Sequence, residues 1–361
     1  MTNQLKKSSP DRTVDVLHIS EAYGGGVQSA IDTYIRHSEG LRHQLLVRGR
    51  AEHDSGDEPD VETVHVDGSM LNFYVQAAKR IRRENPKVVH FHSSYAGLLR
   101  ALPKIRSTVV YSPHCFAFYR SEFPNLLRSI FVGAEYLLAQ RRQTIAAVSP
   151  HEIAVAHRFS RRRGSTSVRY LPNISSVIPR VGGKPVDESC RNQIPTLVCV
   201  GRISRQKDPQ FLAQALQNVG SPVRCIWVGD GEAQLRQVLE DAGVYVTGWV
   251  TSREAHDHIS SADLFVHSAE WEGAPMTLVD AAALGVPILV RGIPHLDGLG
   301  FAKGGTTPRE LGSSIQRFFS EPDYRTQVSG QAIESLSVHS SGAQRRALAA
   351  LYQETKEIRS E

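Results

Sequence analysis

Short β-branched apolar runs alternate with helix-patterned segments along most of the chain, and this alternation restricts the fold more than any other feature. The runs of the first half are VDVLHI, HQLLVRG, KVVHFHS, TVVYSP and TIAAVSP, and those of the second half are TLVCVGR, RCIWVGDG, VYVTGWV, DLFVHSA and PILVRG. Strands that are apolar throughout must be covered on both faces, as they are in parallel sheets flanked by helices. We therefore predict an α/β fold built on parallel sheets.

The length of the chain and one interruption of the pattern predict two domains. The 361 residues are enough for two cores of ordinary size. The alternation stops in the segment PNISSVIPRVGGKPVDESC, whose Pro, Gly and Ser content indicates a linker. We expect Rossmann-like domains over 1–178 and 196–340, joined by a linker over 179–195, with their sheets facing a central cleft. Residues 341–361 follow with helical periodicity and predict a terminal helix that docks on either domain.

The composition and the ends of the chain indicate a cytoplasmic protein. No run approaches the roughly 18 apolar residues that a membrane-spanning helix needs, and the N-terminal segment lacks the apolar core of a signal peptide. The cysteines show no CxxC spacing, which suits a reducing compartment.

The first half of the chain is basic and the second is not. Residues 1–178 carry 24 Lys and Arg against 16 Asp and Glu, whereas the remainder carries 18 against 21. Such a surface attracts the phosphates of lipids or of nucleic acid. A nucleic-acid-binding module is disfavoured, because the basic runs lack interleaved aromatic residues that stack on bases. Contact with an anionic membrane fits better, which would place the protein at the inner face of the plasma membrane.

A glycine-rich turn, SEAYGGGVQSA over 20–30, directly follows the first apolar run. A strand, a glycine turn and a helix start bring backbone N–H groups to one point, which favours phosphate. The dinucleotide-binding pattern would need glycine at Ser29 and an acidic residue where Arg48 to Arg50 stand. NAD is therefore disfavoured, whereas NADP, another phosphate and a plain tight turn stay open at this point.

Two cations follow the first predicted strand of the second half. Arg202 comes directly after Gly201, and Lys207 stands five residues further on. Open α/β sheets bind ligands at this end of their strands. A forked guanidinium and a mobile ammonium together suit a diphosphate, although a solvated loop would also tolerate them.

A second polar group surrounds the start of a later predicted helix. Glu272 precedes the helix opened by Pro275, and Asp280 lies eight residues after Glu272. The amides of Met276 and Thr277 at the helix start would face an anion, while Asp280 could accept ribose hydroxyls. The group is typical of a nucleotide-sugar site.

In their order and spacing, these motifs resemble the donor-binding domain of retaining GT-B glycosyltransferases of the family-4 type, the glycosyl transferases group 1. The matching motifs are Gly201-Arg202 with Lys207, Gly229-Asp230-Gly231, Gly248-Trp249-Val250, and Glu272 with Asp280 leading into Gly285-Val286-Pro287. Asp280 departs from the family, which has a glutamate there. The likeness continues more loosely over 14–178, where SPHCFAFYR resembles the active-site histidine segment.

The resemblance implies a metal-independent hexosyltransferase or N-acetylhexosaminyltransferase without a cofactor. It would move a sugar, with retention, from a nucleotide-diphosphate sugar to a lipid-linked or polysaccharide acceptor of a bacterial surface, and UDP-sugars are favoured over GDP-sugars. The residues implied in catalysis are His114, Arg202, Lys207 and Glu272. The residues implied in donor binding are Gly25, Gly26, Gly201, Arg202, Lys207, Gly229, Gly248, Trp249, Val250, Glu272, Gly273, Met276, Thr277 and Asp280. A nucleotide-sugar epimerase of the same fold is the alternative. His90 and His92 are expected to be structural residues or residues of the cleft wall.

Overall fold

The computed structural model describes residues 14–49, 59–160, 165–177 and 194–353, and its strands form two parallel sheets. The first sheet has seven strands in the order β3-β2-β1-β4-β5-β6-β7. These strands are β1 (Val16–Tyr23), β2 (His43–Gly49), β3 (Glu62–His65), β4 (Val88–His92), β5 (Thr108–Ser112), β6 (Gln143–Ala147) and β7 (Thr166–Tyr170). In the centre, His18 of β1 lies between Leu45 of β2 and His90 of β4.

The second sheet has six strands in the order β10-β9-β8-β11-β12-β13. They are β8 (Thr196–Val200), β9 (Arg224–Val228), β10 (Tyr245–Val246), β11 (Leu264–His267), β12 (Ile288–Arg291) and β13 (Ala302–Gly305). Strands such as β4 and β11 are buried along their whole length, because helices cover both faces of each sheet. The predicted fold class, two Rossmann-like domains with parallel sheets, is confirmed.

The helices connect successive strands and cover both sheets. Those of the first domain are α1 (Gly25–Arg36), α2 (Met70–Glu84), α3 (Ser94–Gly97), α4 (Asn125–Leu138) and α5 (Pro150–Ser160). Those that follow are α6 (Pro209–Leu216), α7 (Ala233–Asp241), α8 (Ser252–Ser261), α9 (Met276–Ala283), α10 (Pro308–Ser320), α11 (Pro322–Ser335) and α12 (Ser341–Tyr352). Several helices are preceded by a residue that favours a helix start. Thr251 before α8 and Thr307 before α10 each form a capping box.

Three strands escape the sequence pattern, and each does so for a local reason. β3 is a short edge strand without a buried residue, β7 alternates buried and more exposed positions, and β13 contains two glycines and a lysine. None of them is the continuous apolar run that identifies a central parallel strand. The predicted linker, except for its last two residues, lies outside the described part of the chain.

The terminal helix α12 follows the second domain in sequence but packs on the first. Its buried residues Leu348, Leu351 and Tyr352 share an apolar cluster with Val16 and Leu171 of the first sheet and its edge loop. The helix is also tied by polar contacts. Gln344 Nε2 donates to Pro172 O at 3.0 Å, and Gln344 Oε1 lies 2.7 Å from His37 Nδ1. Of the two docking sites that the periodicity allowed, the structure selects the first domain.

We predict that Leu348→Ala destabilises the protein by about 2–5 kcal/mol, the usual cost of a cavity in place of a buried leucine. Leu348 is fully buried, whereas Arg346 on the same helix is exposed. Urea unfolding should therefore give Arg346→Ala a stability within about 0.5 kcal/mol of wild type. Equal stabilities for the two variants would contradict the docking of α12.

Candidate active site

The N-termini of two helices, one from each domain, meet at the domain interface. Helix α1 of the first domain contacts α9 of the second, and a side-chain carbon added at Gly26 would lie 3.7 Å from Met276 Cγ. Gly25 has a φ of +53°, which favours glycine at this first position of α1. The positive ends of two helix dipoles therefore converge at a place where an anion could bind.

Gly273 brings the second domain against the loop that follows β5. A side-chain carbon at Gly273 would lie only 2.9 Å from the carbonyl carbon of His114 and 3.0 Å from the amide nitrogen of Cys115. The next residue is tied as well, because Asn173 Nδ2 donates to the carbonyl oxygen of Ala274 at 2.7 Å. His114, predicted from the sequence as a catalytic residue, thus lies directly beside Gly273.

Lys207 and Glu272 form an ion pair at the same edge of the second sheet. The Lys207 Nζ lies 2.5 Å from Glu272 Oε1, and His267 Nε2 lies 3.7 Å from that oxygen. Burial, followed by the charge of Lys207, lowers the pKa of His267 well below its usual value. Gly201 has a φ of +145°, and a side chain there would collide with the stem of Lys207, with 2.8 Å to Cε. Gly201 therefore makes room for the lysine.

Arg202 differs from Lys207 in lacking a partner among the residues that the structure describes. Its side chain is partly buried, and across the described ranges its guanidinium makes no ion pair or hydrogen bond. A partly buried cation without a counter-charge is unfavourable unless a ligand supplies one. Thr277 in the first turn of α9 likewise has a buried Oγ1 for which the described part of the chain offers no hydrogen-bond partner.

The glycines at the ends of neighbouring strands allow their loops to approach closely. Gly229 pairs with Gly248 in an isolated bridge, and a side-chain carbon at Gly229 would lie 2.4 Å from Gly201 O. In the turn after Gly248, Trp249 is half exposed and Val250 packs against an apolar cluster of the second domain. The predicted donor-binding turns are thereby brought to one edge of the sheet.

Asp280 has partners that the sequence motif did not predict. Its Oδ1 accepts hydrogen bonds from Ser175 Oγ at 2.7 Å and from Ser176 N at 3.0 Å. Its Oδ2 lies 3.5 Å from His256 Nε2. Asp280 thus fastens the segment that leaves the first domain, and the oxygen Oδ1 is already engaged. The predicted contact with a ribose is limited to Oδ2 in this arrangement.

A buried carboxylate that the sequence analysis missed holds the His114 loop. His114 and Cys115 both have left-handed backbone, with φ of +49° and +90°. Glu152 Oε1 accepts from Cys115 N at 2.6 Å, and Oε2 accepts from Val148 N at 3.0 Å. Burial raises the pKa of Glu152 to about 7, although both backbone hydrogen bonds oppose the shift. A signal existed, because Ser149 and Glu152 have the spacing of a capping box.

Four further histidines lie behind His114 inside the first domain. They are His18, His43, His90 and His92, all buried. One nitrogen each from His18, His90 and His92 lies within 4.8 Å of the others, a spacing that a metal ion could use. All six nitrogens of these three rings, however, already have a hydrogen-bonding neighbour. Hydrogen bonding therefore accounts for the cluster.

Two families of known proteins match the chain, one in each domain. The family described as Glycosyltransferase Family 4 matches residues 24–173, and the family described as Glycosyl transferases group 1 matches residues 194–311. A 41.2 kDa protein in the cps region of Klebsiella pneumoniae is 23% identical over 297 residues, which cover 78% of this chain and 82% of the relative. The UDP-Gal:alpha-D-GlcNAc-diphosphoundecaprenol alpha-1,3-galactosyltransferase of Escherichia coli is 23% identical over 250 residues, 62% of each chain.

Solved structures show the same fold over nearly the whole chain. Sucrose-phosphate synthase from Thermosynechococcus elongatus matches with a TM-score of 0.76 at 14% identity, covering 94% of this chain and 98% of its own. HepE from Anabaena, in complex with UDP and glucose, matches with a TM-score of 0.68 at 17% identity, covering 96% and 99%. The likeness confirms the GT-B architecture.

We predict that the protein loses stability as the pH falls from 6.5 towards about 4. Burial is the largest cause that lowers the pKa of six histidines of the first domain: His18, His43, His90, His92, His114 and His151. In this range the unfolded chain takes up protons that the native state excludes, so each such histidine costs up to about 1.4 kcal/mol per pH unit. Urea unfolding across this range measures the slope.

Two buried carboxyl groups oppose this trend. Burial raises the pKa of Glu21 and Glu152, so the native state holds protons that the unfolded chain releases as the pH rises. The histidines outnumber them, and the free energy of unfolding should still fall on acidification. A free energy of unfolding that stays level from about pH 6.5 to about pH 5 would contradict the prediction.

Proposed function

Because the chain carries a Glycosyltransferase Family 4 domain over 24–173 and a Glycosyl transferases group 1 domain over 194–311, we propose that it transfers a sugar from a UDP-sugar to a hydroxyl group of a lipid-linked or polysaccharide acceptor. The observation that carries the proposal is the Arg202 guanidinium, which has no ion pair or hydrogen bond among the described residues and stands five positions before Lys207, whose partner Glu272 precedes the Gly273 contact between the domains. Both matched families are named for glycosyl transfer, which favours transfer over the epimerase alternative. UDP is favoured because the Escherichia coli relative is named for UDP-Gal and the HepE structure contains UDP.

The donor diphosphate would be held without a metal ion. In our proposal Arg202 and Lys207 neutralise its charge, and the amides of Met276 and Thr277 at the start of α9 donate to its oxygens. The start of α1 at Gly25 and Gly26 would face the same phosphates from the first domain. Glu272 now pairs with Lys207 and would orient the ammonium group towards the diphosphate. These groups would stabilise the charge that develops on the leaving diphosphate.

The rest of the nucleotide would lie along the second sheet. We propose that the Gly248–Val250 turn meets the base mainly through its backbone, with the half-exposed Trp249 beside it. Asp280 would accept a ribose hydroxyl through Oδ2, since Ser175 and Ser176 occupy Oδ1.

We propose that transfer proceeds with retention by attack of the acceptor hydroxyl on the same face as the departing diphosphate. A double displacement would need a free carboxylate about 5 Å from a second one across the bond. Glu152, the buried carboxylate beside the His114 loop, has both oxygens committed to backbone N–H groups. Glu21 Oε2 accepts hydrogen bonds from the Ser93 hydroxyl group and the Ala96 backbone N–H. His114 would then contact the donor sugar and the reacting centre.

We predict that Arg202→Ala and Lys207→Ala each lower the rate of transfer by about 10²–10³-fold, because each removes one electrostatic contact to the leaving group. Arg205, exposed on the same loop, provides the matched control, and Arg205→Ala should transfer at the wild-type rate. A thermal-shift panel of UDP, GDP and ADP with their sugars identifies the donor, and UDP should raise the melting temperature of wild type most. Wild-type turnover by Arg202→Ala would refute the proposed diphosphate site.

A membrane-bound acceptor is supported by the surface of the first domain. Helix α4 exposes Leu126, Ile130 and Leu137, each more than half exposed. Arg141 and Arg142 follow the same helix and are also exposed. No helix in the described segments is both long enough and apolar enough to cross a bilayer. We propose that α4 lies on an anionic membrane, with its apolar side chains in the interface and its arginines at the head groups.

We predict that the double variant Leu126→Asn, Leu137→Asn lowers co-sedimentation with phosphatidylglycerol vesicles, since both substitutions remove apolar area from the proposed contact. Ile333, exposed on α11 of the second domain, supplies the control, and Ile333→Asn should sediment like wild type. Binding should also weaken as salt rises, because exposed charges are screened over about 8 Å at physiological ionic strength. Equal sedimentation with neutral vesicles would argue for a water-soluble acceptor.

A further inference from the structure

A continuous line of hydrogen-bonded imidazoles crosses the first sheet and ends at His114. His43 Nδ1 lies 3.0 Å from His18 Nε2, His18 Nδ1 lies 3.0 Å from His92 Nε2, and His92 Nδ1 lies 3.1 Å from His114 Nε2. The far end is closed by Ser38, whose Oγ lies 3.0 Å from His43 Nε2. Successive rings are 5.2–5.3 Å apart between centroids and nearly parallel. We call these five residues the histidine line.

The serine at its end gives the line a direction. A hydroxyl group has one hydrogen, and Ser38 donates it to the carbonyl oxygen of Tyr34, one turn earlier in α1. Ser38 can therefore only accept from His43 Nε2. A neutral imidazole has one N–H and one lone pair, so His43 Nδ1 must accept from His18. The next rings are constrained in the same way, so His18 Nδ1 accepts from His92 Nε2 and His92 Nδ1 accepts from His114 Nε2.

We propose that Ser38, His43, His18 and His92 are positioning residues that hold His114 as the Nε2–H tautomer, so that its Nδ1 presents a lone pair at the domain interface. His114 is partly exposed, and its Nδ1 has no hydrogen-bond partner among the residues that the structure describes. The lone pair suits a hydroxyl group of the sugar substrate as its donor. This use of His114 rests on the proposed function, whereas the tautomer itself does not.

The surroundings keep the rings neutral, which the argument from single hydrogens requires. Burial and neighbouring imidazoles lower the pKa values of His18 and His92, and burial lowers that of His114 to about 4. Two acidic residues lie near the ends of the histidine line, Asp15 near His43 and Glu152 near the His114 loop. Asp15 favours the charged form of His43, but burial outweighs it. Glu152, beside the His114 loop, binds backbone N–H groups and not the ring.

His90 is a built-in control for the line. It is as deeply buried as its neighbours, and its ring lies 4.0 Å from that of His92 between centroids. Yet its nitrogens bind Tyr352 Oη at 2.8 Å and Ser112 Oγ at 2.9 Å, outside the line. A change at His90 should alter local packing without altering the hydrogen bonds that lead to His114.

The tautomers can be read directly by long-range ¹H–¹⁵N NMR of the full chain labelled at histidine, near neutral pH and without substrate. We expect His43, His18, His92 and His114 all to carry their proton on Nε2. A proton on Nδ1 of His114, or a protonated ring there, would overturn the proposal. So would a stoichiometric transition metal found by elemental analysis, because the rings would then be ligands.

A small substitution at Ser38, the end of the histidine line farthest from His114, tests whether the line sets the tautomer. Ser38→Ala removes the group that sets the direction, so the His114 signals should move towards a mixture of both tautomers. Ser38→Thr keeps the hydroxyl and should restore the wild-type spectrum, and His90→Phe should leave the His114 tautomer unchanged. A wild-type His114 spectrum in folded Ser38→Ala would refute the role of the line.

Kinetics then connect the tautomer with transfer. Ser38→Ala should lower kcat in proportion to the fraction of His114 that leaves the Nε2–H tautomer, about two-fold for an even mixture, while KM for the donor stays near that of wild type. The two proposals fail separately. If no nucleotide sugar binds the wild type, the proposed function fails and the NMR result still stands. If the nucleotide binds but His114 has the other tautomer, only the histidine line is refuted.

Discussion

The candidate site depends on the contact between Gly273 and the backbone of His114 and Cys115. A side-chain carbon at Gly273 would lie 2.9 Å from His114, so only glycine allows this approach. The contact places the Glu272–Lys207 ion pair and the start of α9 next to the loop that follows β5. Because the strands of each sheet are parallel, all their carboxyl ends lie at one edge. Joining the two sheets at those edges creates one site from two domains.

Buried carboxylates hold the loops of the first domain in backbone conformations that they would otherwise avoid. Ser93 has a φ of +80°, and Glu21 accepts from its hydroxyl and from the amide of Ala96. Glu152 does the same for Cys115, whose φ is +90°. Non-glycine residues in this region are strained and need surrounding support. The loops that the two carboxylates hold follow the neighbouring strands β4 and β5, and Glu152 fixes the one that carries His114.

The buried histidines show a conflict between stability and orientation. Polar rings inside a sheet cost free energy unless every nitrogen is satisfied, and most nitrogens of the histidine line are satisfied by one another. Helix α12 contributes Tyr352 to His90, and α1 contributes Ser38 to His43. A terminal helix that crosses back to the first domain therefore completes the polar interior behind the site. An apolar core would be more stable, but it could not orient the His114 ring.

The sequence by itself determined the local patterns: apolar runs that must become buried parallel strands, a glycine turn before α1, and the cations Arg202 and Lys207 after β8. These follow from residue type and spacing over a few positions. Only the tertiary structure decided which domain α12 covers, that Asp280 binds Ser175 and Ser176, and that five residues from separate strands and loops form one line. The physical reason is distance along the chain. Partners such as His18 and His92 are 74 residues apart, and no local pattern records which side chains the sheet order brings within 3.0 Å.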